Sequence, residues 1–303
     1  MKKWILGSVL ASLLLLVAAC GSQTSKEGGA VLQYGAQKNT DPKIMGQIVK
    51  LLIEDQTTHE VEITEDLPAS PQVMSAIDQG ELDIATLYSG EVYNNHFGED
   101  EVEYTTDGPK TLEQAQKLFG EEYDMTWYDS IGFRNQYSVA IKNDFAEENG
   151  IETMSDLEPY AGDLMLGTDN SWIERANDGY NAYQETYGYS FSDARGMDVA
   201  LMYEGIASDE LDVVTAYTVD PQIKEYDLKV LEDNESFFPP YDASLVARNE
   251  MVDEYPEVEE VLDQIVDLIS TEEMMELMHD VTINERNTEE VAKEFLQDKD
   301  MLE

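Results

Sequence analysis

The chain has little positive charge. Its 303 residues include 18 Lys and Arg against 65 Asp and Glu, which gives a formal net charge of −47. This balance excludes nucleic acid as a partner, because binding to phosphates needs clustered Lys and Arg. The acidic residues are spread along the whole chain, and self-repulsion of this size destabilises a compact state unless salt screens it. The composition therefore predicts a surface adapted to high salt and a halophilic or salt-tolerant source.

Cysteine is almost absent, since Cys20 is the only one. With no disulfide, the fold must be stabilised by its hydrophobic core. Hydrophobic residues make up 42% of the sequence, and a chain of 303 residues is long enough for two domains with substantial cores. The longest apolar run, from Ile5 to Val17, is too short for a comfortable membrane span.

That apolar run follows Lys2 and Lys3, as in a signal peptide. It leads into Val17-Ala18-Ala19-Cys20, which resembles a bacterial lipobox. We therefore expect residues 1–19 to be a lipoprotein signal peptide, Cys20 to carry a lipid, and residues 20–30 to form a flexible tether. The protein would then lie at the extracytoplasmic face of the cell membrane. The alternative is a plain secretory signal with an incidental cysteine.

The motifs of several enzyme classes are missing. The sequence has no phosphate-binding loop, no dinucleotide-binding glycine motif and no nucleophile elbow. Its three histidines lack metal-ligand spacing, and no calcium-binding loop is present. We therefore predict no cofactor, no metal and no enzymatic activity. A surface hydrolase that uses a pair of carboxylates remains an alternative, because 65 acidic residues leave such a pair possible.

Apolar periodicity predicts a β-α-β-α-β order over residues 31–88, which is typical of a mostly parallel sheet. In this interpretation Asp41 caps the first helix and Pro42 begins it. A capping box is predicted from Thr111 and Gln114. No long linker divides the chain, and a helical tail begins at Pro256.

We therefore predict an α/β fold of two lobes with a central cleft and a helical C-terminal tail. Lobe I is assigned to residues 31–135 and 242–303, and lobe II to residues 136–241.

Two stretches of the sequence are nearly the same. Residues 81–88 are Glu-Leu-Asp-Ile-Ala-Thr-Leu-Tyr and residues 210–217 are Glu-Leu-Asp-Val-Val-Thr-Ala-Tyr, with five of eight positions identical. Each pattern predicts a short strand that ends on a tyrosine, and strand ends present ligand-contacting side chains in open α/β sheets. Two similar lobes would each offer a tyrosine to a shared cleft. The alternative is two ordinary buried strands that are alike by chance.

Tyrosine is abundant, with 17 residues, and four of them fall at predicted loops or strand ends: Tyr88, Tyr137, Tyr217 and Tyr241. A cluster of tyrosine faces suits a quaternary ammonium, because each ring attracts such a cation by about 0.5–2 kcal/mol. For any one of these tyrosines the alternative is core packing with a hydrogen-bonded hydroxyl.

Six stretches then resemble a known family: Gly35-Ala36-Gln37-Lys38, Leu87-Tyr88-Ser89-Gly90-Glu91, Gly132-Phe133-Arg134-Asn135-Gln136-Tyr137, Asn170-Ser171-Trp172 with Asp178-Gly179-Tyr180, Ala216-Tyr217-Thr218, and Phe237-Phe238-Pro239-Pro240-Tyr241-Asp242. The sequence is similar to the substrate-binding lipoproteins of osmoprotectant ABC importers, of the glycine betaine/carnitine/choline (OpuAC/ProX-like) type. The resemblance implies a type II periplasmic-binding-protein fold. It also implies an aromatic box formed by the four tyrosines named above.

The resemblance further implies ligand contacts from Gln37, with Lys38 adjacent, and from Arg175, for which a surface salt bridge is the alternative. Glu91 departs from the family, in which betaine-binding members commonly have Thr three residues after the first box tyrosine. A carboxylate there would repel glycine betaine or carnitine and attract the cationic head or hydroxyl of choline. Choline is therefore favoured, unless Glu91 turns to solvent and the specificity is broad.

The implied partners are a quaternary ammonium compound and an ABC permease in the cytoplasmic membrane, with the binding protein expected to be a monomer. Lobe closure near residues 134–137 and 241–243 would trap the ligand. Ectoine, proline or a polyamine in the same fold is one alternative. An adhesion or structural lipoprotein with exposed tyrosines is another.

Overall fold

The computed structural model describes residues 28–302 except 69, 94–95, 99–100, 171 and 176. Cys20 and the signal-peptide segment lie outside the described residues. Across the described part, the chain forms ten strands: β1 (Val31–Gln37), β2 (Glu60–Leu67), β3 (Ile84–Tyr88), β4 (Met125–Arg134), β5 (Tyr137–Lys142), β6 (Met165–Asp169), β7 (Asp193–Met197), β8 (Val213–Tyr217), β9 (Leu228–Val230) and β10 (Asp242–Arg248).

The helices of the same residues cover the faces of the strands. They are α1 (Thr40–Gln56), α2 (Ser70–Asp78), α3 (Gly108–Tyr123), α4 (Asn143–Asn149), α5 (Glu158–Ala161), α6 (Tyr180–Tyr187), α7 (Val199–Ala207), α8 (Gln222–Glu225), α9 (Asn249–Glu254), α10 (Pro256–Leu262), α11 (Thr271–Thr282) and α12 (Thr288–Asp298). None of these helices has the length and apolar composition that a membrane span needs.

The strands form two five-stranded sheets with the same plan. The first has the order β2-β1-β3-β10-β4 and the second has the order β7-β6-β8-β5-β9. The central strand of each sheet, β3 or β8, pairs in parallel with one neighbour and antiparallel with the other. The two nearly identical sequence stretches therefore end as the central strands of two similar sheets.

The likeness of the two stretches extends to individual contacts. The carboxylate of Asp83 accepts a hydrogen bond from the backbone N–H of Gln33 at 2.8 Å, and that of Asp212 accepts one from Met165 at 2.8 Å. Each aspartate thus holds the start of the neighbouring parallel strand. The repeated Glu-Leu-Asp segment is a structural element that joins a helix to a central strand.

Each sheet is packed on both faces. On the first sheet, α1 and the helical tail share one buried cluster that includes Leu32, Ile48 and Leu262. Phe119 of α3 packs with Trp127 on the other face, with ring centroids 5.0 Å apart. On the second sheet an aromatic cluster around Trp172 covers one face.

The chain crosses between the two sheets twice. The first crossing is Asn135-Gln136, between β4 and β5, and the second precedes β10. The two crossing segments are joined because the backbone N–H of Asn135 donates to the carbonyl of Tyr241 at 3.0 Å. We keep residues 31–135 with 242–303 as lobe I and residues 136–241 as lobe II, as a working division.

Two predicted helix starts are wrong. Helix α1 begins at Thr40 with Asn39 at its N-cap position, so Asp41 lies inside the first turn, where it is fully buried. Helix α3 is capped by Asp107, whose side chain accepts from the backbone N–H of Lys110, and not by a Thr111–Gln114 box. Asp41 is thereby left to hydrogen-bond with another element.

Candidate ligand-binding cleft

Tyr88, at the end of β3, is the tyrosine of the predicted box that belongs to lobe I. Its side chain is only 7% exposed, and its hydroxyl donates a hydrogen bond to Oδ2 of Asp41. Asn135, in the first crossing segment, donates to the same oxygen at 2.9 Å. Strand β3, helix α1 and the crossing segment therefore meet at one carboxylate.

Burial has a direct electrostatic consequence at this point. The pKa of Asp41 is raised by its removal from water, although the hydrogen bonds from Tyr88 and Asn135 oppose the rise. The pKa of Tyr88 is also raised, first by burial and then by the charge of Asp41. Tyr88 therefore remains a neutral phenol that donates to Asp41.

Lobe II offers two tyrosines side by side. Tyr137 begins β5 and Tyr217 ends β8, and the antiparallel register places them opposite each other. Their ring centroids lie 4.6 Å apart, and the hydroxyl of Tyr217 donates to that of Tyr137 at 2.8 Å. At this distance the two rings form one wall rather than two opposing walls.

Trp172 and Phe238 support this wall from behind. Their ring centroids lie 6.4 Å and 6.3 Å from that of Tyr137, and Trp172 is fully buried. Trp172 is thus a packing residue in this structure.

Tyr241, the fourth tyrosine of the predicted box, is in contact with Arg175. A Cβ atom on Gly90 would come within 2.5 Å of the Tyr241 ring, so only glycine allows this approach. Arg175 donates to the Tyr241 hydroxyl at 3.2 Å, and its guanidinium carbon lies 5.6 Å from the centroid of the Tyr137 ring. Asp178 holds the guanidinium by two contacts of 2.8 Å. Arg175 therefore contacts box tyrosines while its charge is paired.

Glu91, Ser70 and Gln37 form a series of hydrogen-bonded side chains in lobe I, next to Tyr88. Glu91 is only 8% exposed and accepts a hydrogen bond from the hydroxyl of Ser70. Gln37 in turn donates to Ser70 at 3.3 Å. Nε2 of His96 lies 3.9 Å from Glu91, and burial lowers the pKa of His96 while the charge of Glu91 opposes this. The alternative in which Glu91 turns to solvent is wrong for this structure.

Lys38 is exposed, and the described residues provide no carboxylate partner for its ammonium group. Its backbone N–H donates to the carbonyl of Leu67 at 3.3 Å. The structure thus brings Gln37 and Glu91 together but leaves the side chain of Lys38 at the surface. A ligand contact by Lys38 remains a prediction.

Asp220, three residues after Tyr217, is a buried carboxylate beside the predicted box that the sequence did not indicate. Its carboxylate accepts from the backbone N–H of Tyr217 at 3.0 Å and from the hydroxyl of Tyr203 at 2.5 Å. Burial raises its pKa to about 6, the two hydrogen bonds oppose this, and the negative charge of Asp41 adds to it. Asp220 therefore joins the end of β8 to Tyr203 of α7 through a buried carboxylate.

Across the residues that the structure describes, no group of three or more His, Cys, Asp or Glu side chains could hold a metal ion. The polar groups around the cleft are hydroxyls, amides, one paired guanidinium and buried carboxylates. Together with the tyrosine faces, they form an environment that suits a small cation.

The family model for the substrate-binding domain of ABC-type glycine betaine transport systems (OpuAC) matches residues 31–298. The chain belongs to this family. It is accordingly a transporter substrate-binding protein and not an enzyme.

Relatives of the chain agree with this membership. A carnitine transport binding protein, OpuCC of Listeria monocytogenes, is 35% identical over 273 residues, which cover 90% of this chain and 88% of that protein. The ergothioneine transport permease/ergothioneine binding protein EgtU of Helicobacter pylori is 30% identical over 273 residues. That match covers 88% of this chain and 47% of EgtU.

A solved structure described as a glycine betaine/carnitine/choline ABC transporter superposes with a TM-score of 0.83. It is 31% identical, and the match covers 90% of this chain and all of that one. The predicted two-lobed type II periplasmic-binding-protein fold is confirmed. The homologues of this chain are extracytoplasmic substrate-binding proteins of ABC transporters, and this chain has the same architecture.

Proposed function

We propose that the protein captures a quaternary ammonium compound at the extracytoplasmic face of the membrane and delivers it to an ABC permease. The cation would lie against Tyr88 from lobe I and the Tyr137–Tyr217 wall from lobe II, with Tyr241 beside them. A ligand that contacts both lobes stabilises the closed state over the open one. The tyrosine faces attract the cation without needing a hydrogen bond from it.

Choline is the ligand that we favour, and the buried Glu91 is the observation that carries this choice. Its carboxylate lies just beyond Tyr88 and is held by Ser70, so it stays on the cleft side of lobe I. A buried carboxylate at this place repels the carboxylate of glycine betaine or carnitine. It can also accept a hydrogen bond from a hydroxyl, which choline has.

A zwitterion such as carnitine or glycine betaine is the second candidate, and Arg175 is the observation in its favour. The guanidinium lies between Tyr137 and Tyr241, where a ligand carboxylate could reach it. Asp178 already pairs with it at 2.8 Å, however, so its charge is partly neutralised. The similarity of this chain to a carnitine transport binding protein of Listeria monocytogenes makes carnitine the zwitterion to test first.

Calorimetric titration in molar salt with choline, glycine betaine, carnitine and ectoine tests the proposal. We expect choline to bind at least about tenfold more tightly than glycine betaine, because one like-charge contact is removed. The Glu91→Thr variant should shift this ratio toward glycine betaine. Glu81→Thr, which changes an exposed glutamate ahead of the same strand, is the matched control and should leave the ratio unchanged. Tighter binding of glycine betaine by the unmodified protein would refute the choline assignment.

The lipid anchor is a separate proposal that rests on Val17-Ala18-Ala19-Cys20. We expect the protein to fractionate with the membrane and Cys20→Ala to be uncleaved or released without a lipid. Metabolic labelling with a fatty acid analogue should mark the unmodified protein and leave Cys20→Ala unlabelled. Labelling that persists in Cys20→Ala would show that the lipid is attached elsewhere.

A further inference from the structure

Asp41 has a combination of burial and missing partners that a structural role does not explain. Its side chain is fully inaccessible to solvent. Oδ2 accepts two hydrogen bonds, whereas buried Oδ1 has no partner in hydrogen-bond geometry among the described residues, and only the backbone N–H of Asp41 itself adds to the stabilisation of the carboxylate. A buried carboxylate with one unsatisfied oxygen is unfavourable by itself, because the charge has lost water without gaining a full set of partners.

The surroundings of Asp41 place this charge directly behind the tyrosine box. It hydrogen-bonds to Tyr88, the box tyrosine of lobe I, and to Asn135 in the crossing segment. The negative charge of Asp41 also contributes to the raised pKa of Asp220, a lobe II residue whose carboxylate accepts a hydrogen bond from the backbone of Tyr217. Asp41 thus lies behind the box tyrosine of lobe I, and a cation held against that ring would be attracted by its negative charge.

The first turn of α1 makes an ionised carboxylate tolerable at this place. Asp41 is the acidic residue in the first turn of a helix of 17 residues, where the helix dipole favours negative charge. The hydroxyl of Tyr88 points at that charge, which increases electron density on the phenol ring and so strengthens its attraction for a cation.

We propose that Asp41 is the residue by which the cleft distinguishes a cation from a neutral molecule of the same shape. This inference rests on the proposed function, since it concerns the charge of the quaternary ammonium. Asp41 acts through Tyr88 and through its field, so it is a positioning and specificity residue. A role limited to packing would affect charged and neutral ligands equally.

The test compares choline with dimethylbutanol, its neutral carbon isostere, in calorimetric or competition titrations. For Asp41→Asn we expect the affinity for choline to fall about 30-fold and that for dimethylbutanol to change less than about threefold, because only the charge is removed. Asp83→Asn is the matched control. Asp83 is a buried carboxylate of the same lobe that pairs with Arg248 at 2.7 Å, and this change should leave the ratio of the two affinities unaltered.

If Asp41→Asn does not fold, the pH dependence of the same ratio takes its place. The titratable groups that face Asp41 are Tyr34 of β1, Tyr88 of β3 and Asp220 of lobe II. In a Glu91→Gln, Asp220→Asn background, protonation of Asp41 on acidification from pH 8 toward pH 4 should lower the choline affinity but not that of dimethylbutanol.

The outcomes separate the two proposals. If the unmodified protein binds no quaternary ammonium, the proposed function is wrong. If it binds choline but Asp41→Asn weakens both ligands equally, or the ratio stays constant with pH, the role assigned to Asp41 is wrong and the proposed function stands.

Discussion

The central strands of the two sheets, β3 and β8, have similar sequences and similar pairing. They differ mainly in the hydrogen-bond partners of their last residues, Tyr88 and Tyr217. Asp83 and Asp212 hold the neighbouring strand in the same way. The tyrosine that ends each strand has a different partner. The hydroxyl of Tyr88 donates to the carboxylate of Asp41, whereas that of Tyr217 donates to the neutral hydroxyl of Tyr137.

This difference shows which part of the repeated segment is scaffold and which part is site. The identical residues of the two stretches serve strand pairing and the helix-to-strand turn, so they are repeated for structural reasons. The contacts of the tyrosines come from outside the repeat. The two tyrosines therefore end the same structural element but donate to different groups, a carboxylate in lobe I and a phenol hydroxyl in lobe II.

Replacing each tyrosine is the strongest test of this inequality. We expect Tyr88→Ala to lower the affinity for choline about 100-fold and Tyr217→Ala about tenfold, because both lose a ring and the former also leaves Asp41 without a donor. Tyr88→Phe should likewise be more damaging than Tyr217→Phe. Titration calorimetry in molar salt measures all four variants. Normal affinity in both alanine variants would refute the tyrosine cage.

The structural equivalence of the two sheets can be tested at Gly35 of β1 and Gly167 of β6, which occupy equivalent positions. A Cβ atom on Gly35 would lie 2.4 Å from Leu82, and one on Gly167 would lie 2.3 Å from Leu211. Gly35→Ala and Gly167→Ala should each lower the free energy of unfolding by about 1–3 kcal/mol through overpacking. Gly162→Ala is the control, because nothing lies within 4 Å of its added Cβ. Urea unfolding that shows a large loss at only one of the two glycines would contradict an equivalent role.

The raised pKa of Asp220 predicts how the free energy of unfolding depends on pH. The pKa of Asp220 is raised to about 6 in the folded protein, from an ordinary value of 3.8. Its charged form is therefore disfavoured by folding, and the folded state gains stability as the pH falls from 7 toward 4. We expect the difference in unfolding free energy between the unmodified protein and Asp220→Asn to rise by about 2 kcal/mol over this range.

Urea unfolding at constant high salt, at pH 7, 5.5 and 4, measures this difference. Other carboxylates, such as Glu273 with a pKa lowered to about 2, act in the opposite direction in both proteins and cancel. A difference that does not vary with pH would mean that the charge of Asp220 is not disfavoured in the folded state.

The smallest effect is expected where the lobes touch away from the cleft. Lys224 of α8 pairs with Glu276 of α11 at 3.2 Å, and both side chains are about half exposed. Lys224→Ala should weaken choline binding by less than about threefold in dilute buffer, and the effect should vanish in molar salt. Lys229→Ala removes a pair within lobe II and is the control. An effect that persists in molar salt would show that the contact is more than an exposed ion pair.

The architecture was predictable because it depends on local patterns. Alternating apolar positions, proline at helix starts and the twin stretches all indicated two α/β lobes. Residues 125–134, which form β4, show no clear alternation in the sequence, because two register irregularities interrupt the pairing of β4 with β10. Strand β7 is an edge strand with exposed residues, so it carries little apolar pattern.

The site was predictable only in part, for a physical reason. The tyrosines follow strand ends and prolines, which are visible in the sequence. Asp41 precedes Pro42, and this pair has the pattern of a helix cap whether the carboxylate caps its own helix or reaches Tyr88. Only the packing of α1 against β3 decides between these two uses. Asp220 likewise became a site residue through its contacts with Tyr203 and Tyr217.

Val219 lies in lobe II, yet it is fully buried in the same apolar cluster as the core of lobe I. Opening the cleft would therefore expose this side chain to water, and closing should carry a negative heat capacity change. Salts that are excluded from protein surfaces strengthen apolar burial, whereas they screen ion pairs. Molar sulfate or phosphate would thus shift the conformational equilibrium toward the closed form, which retains the ligand.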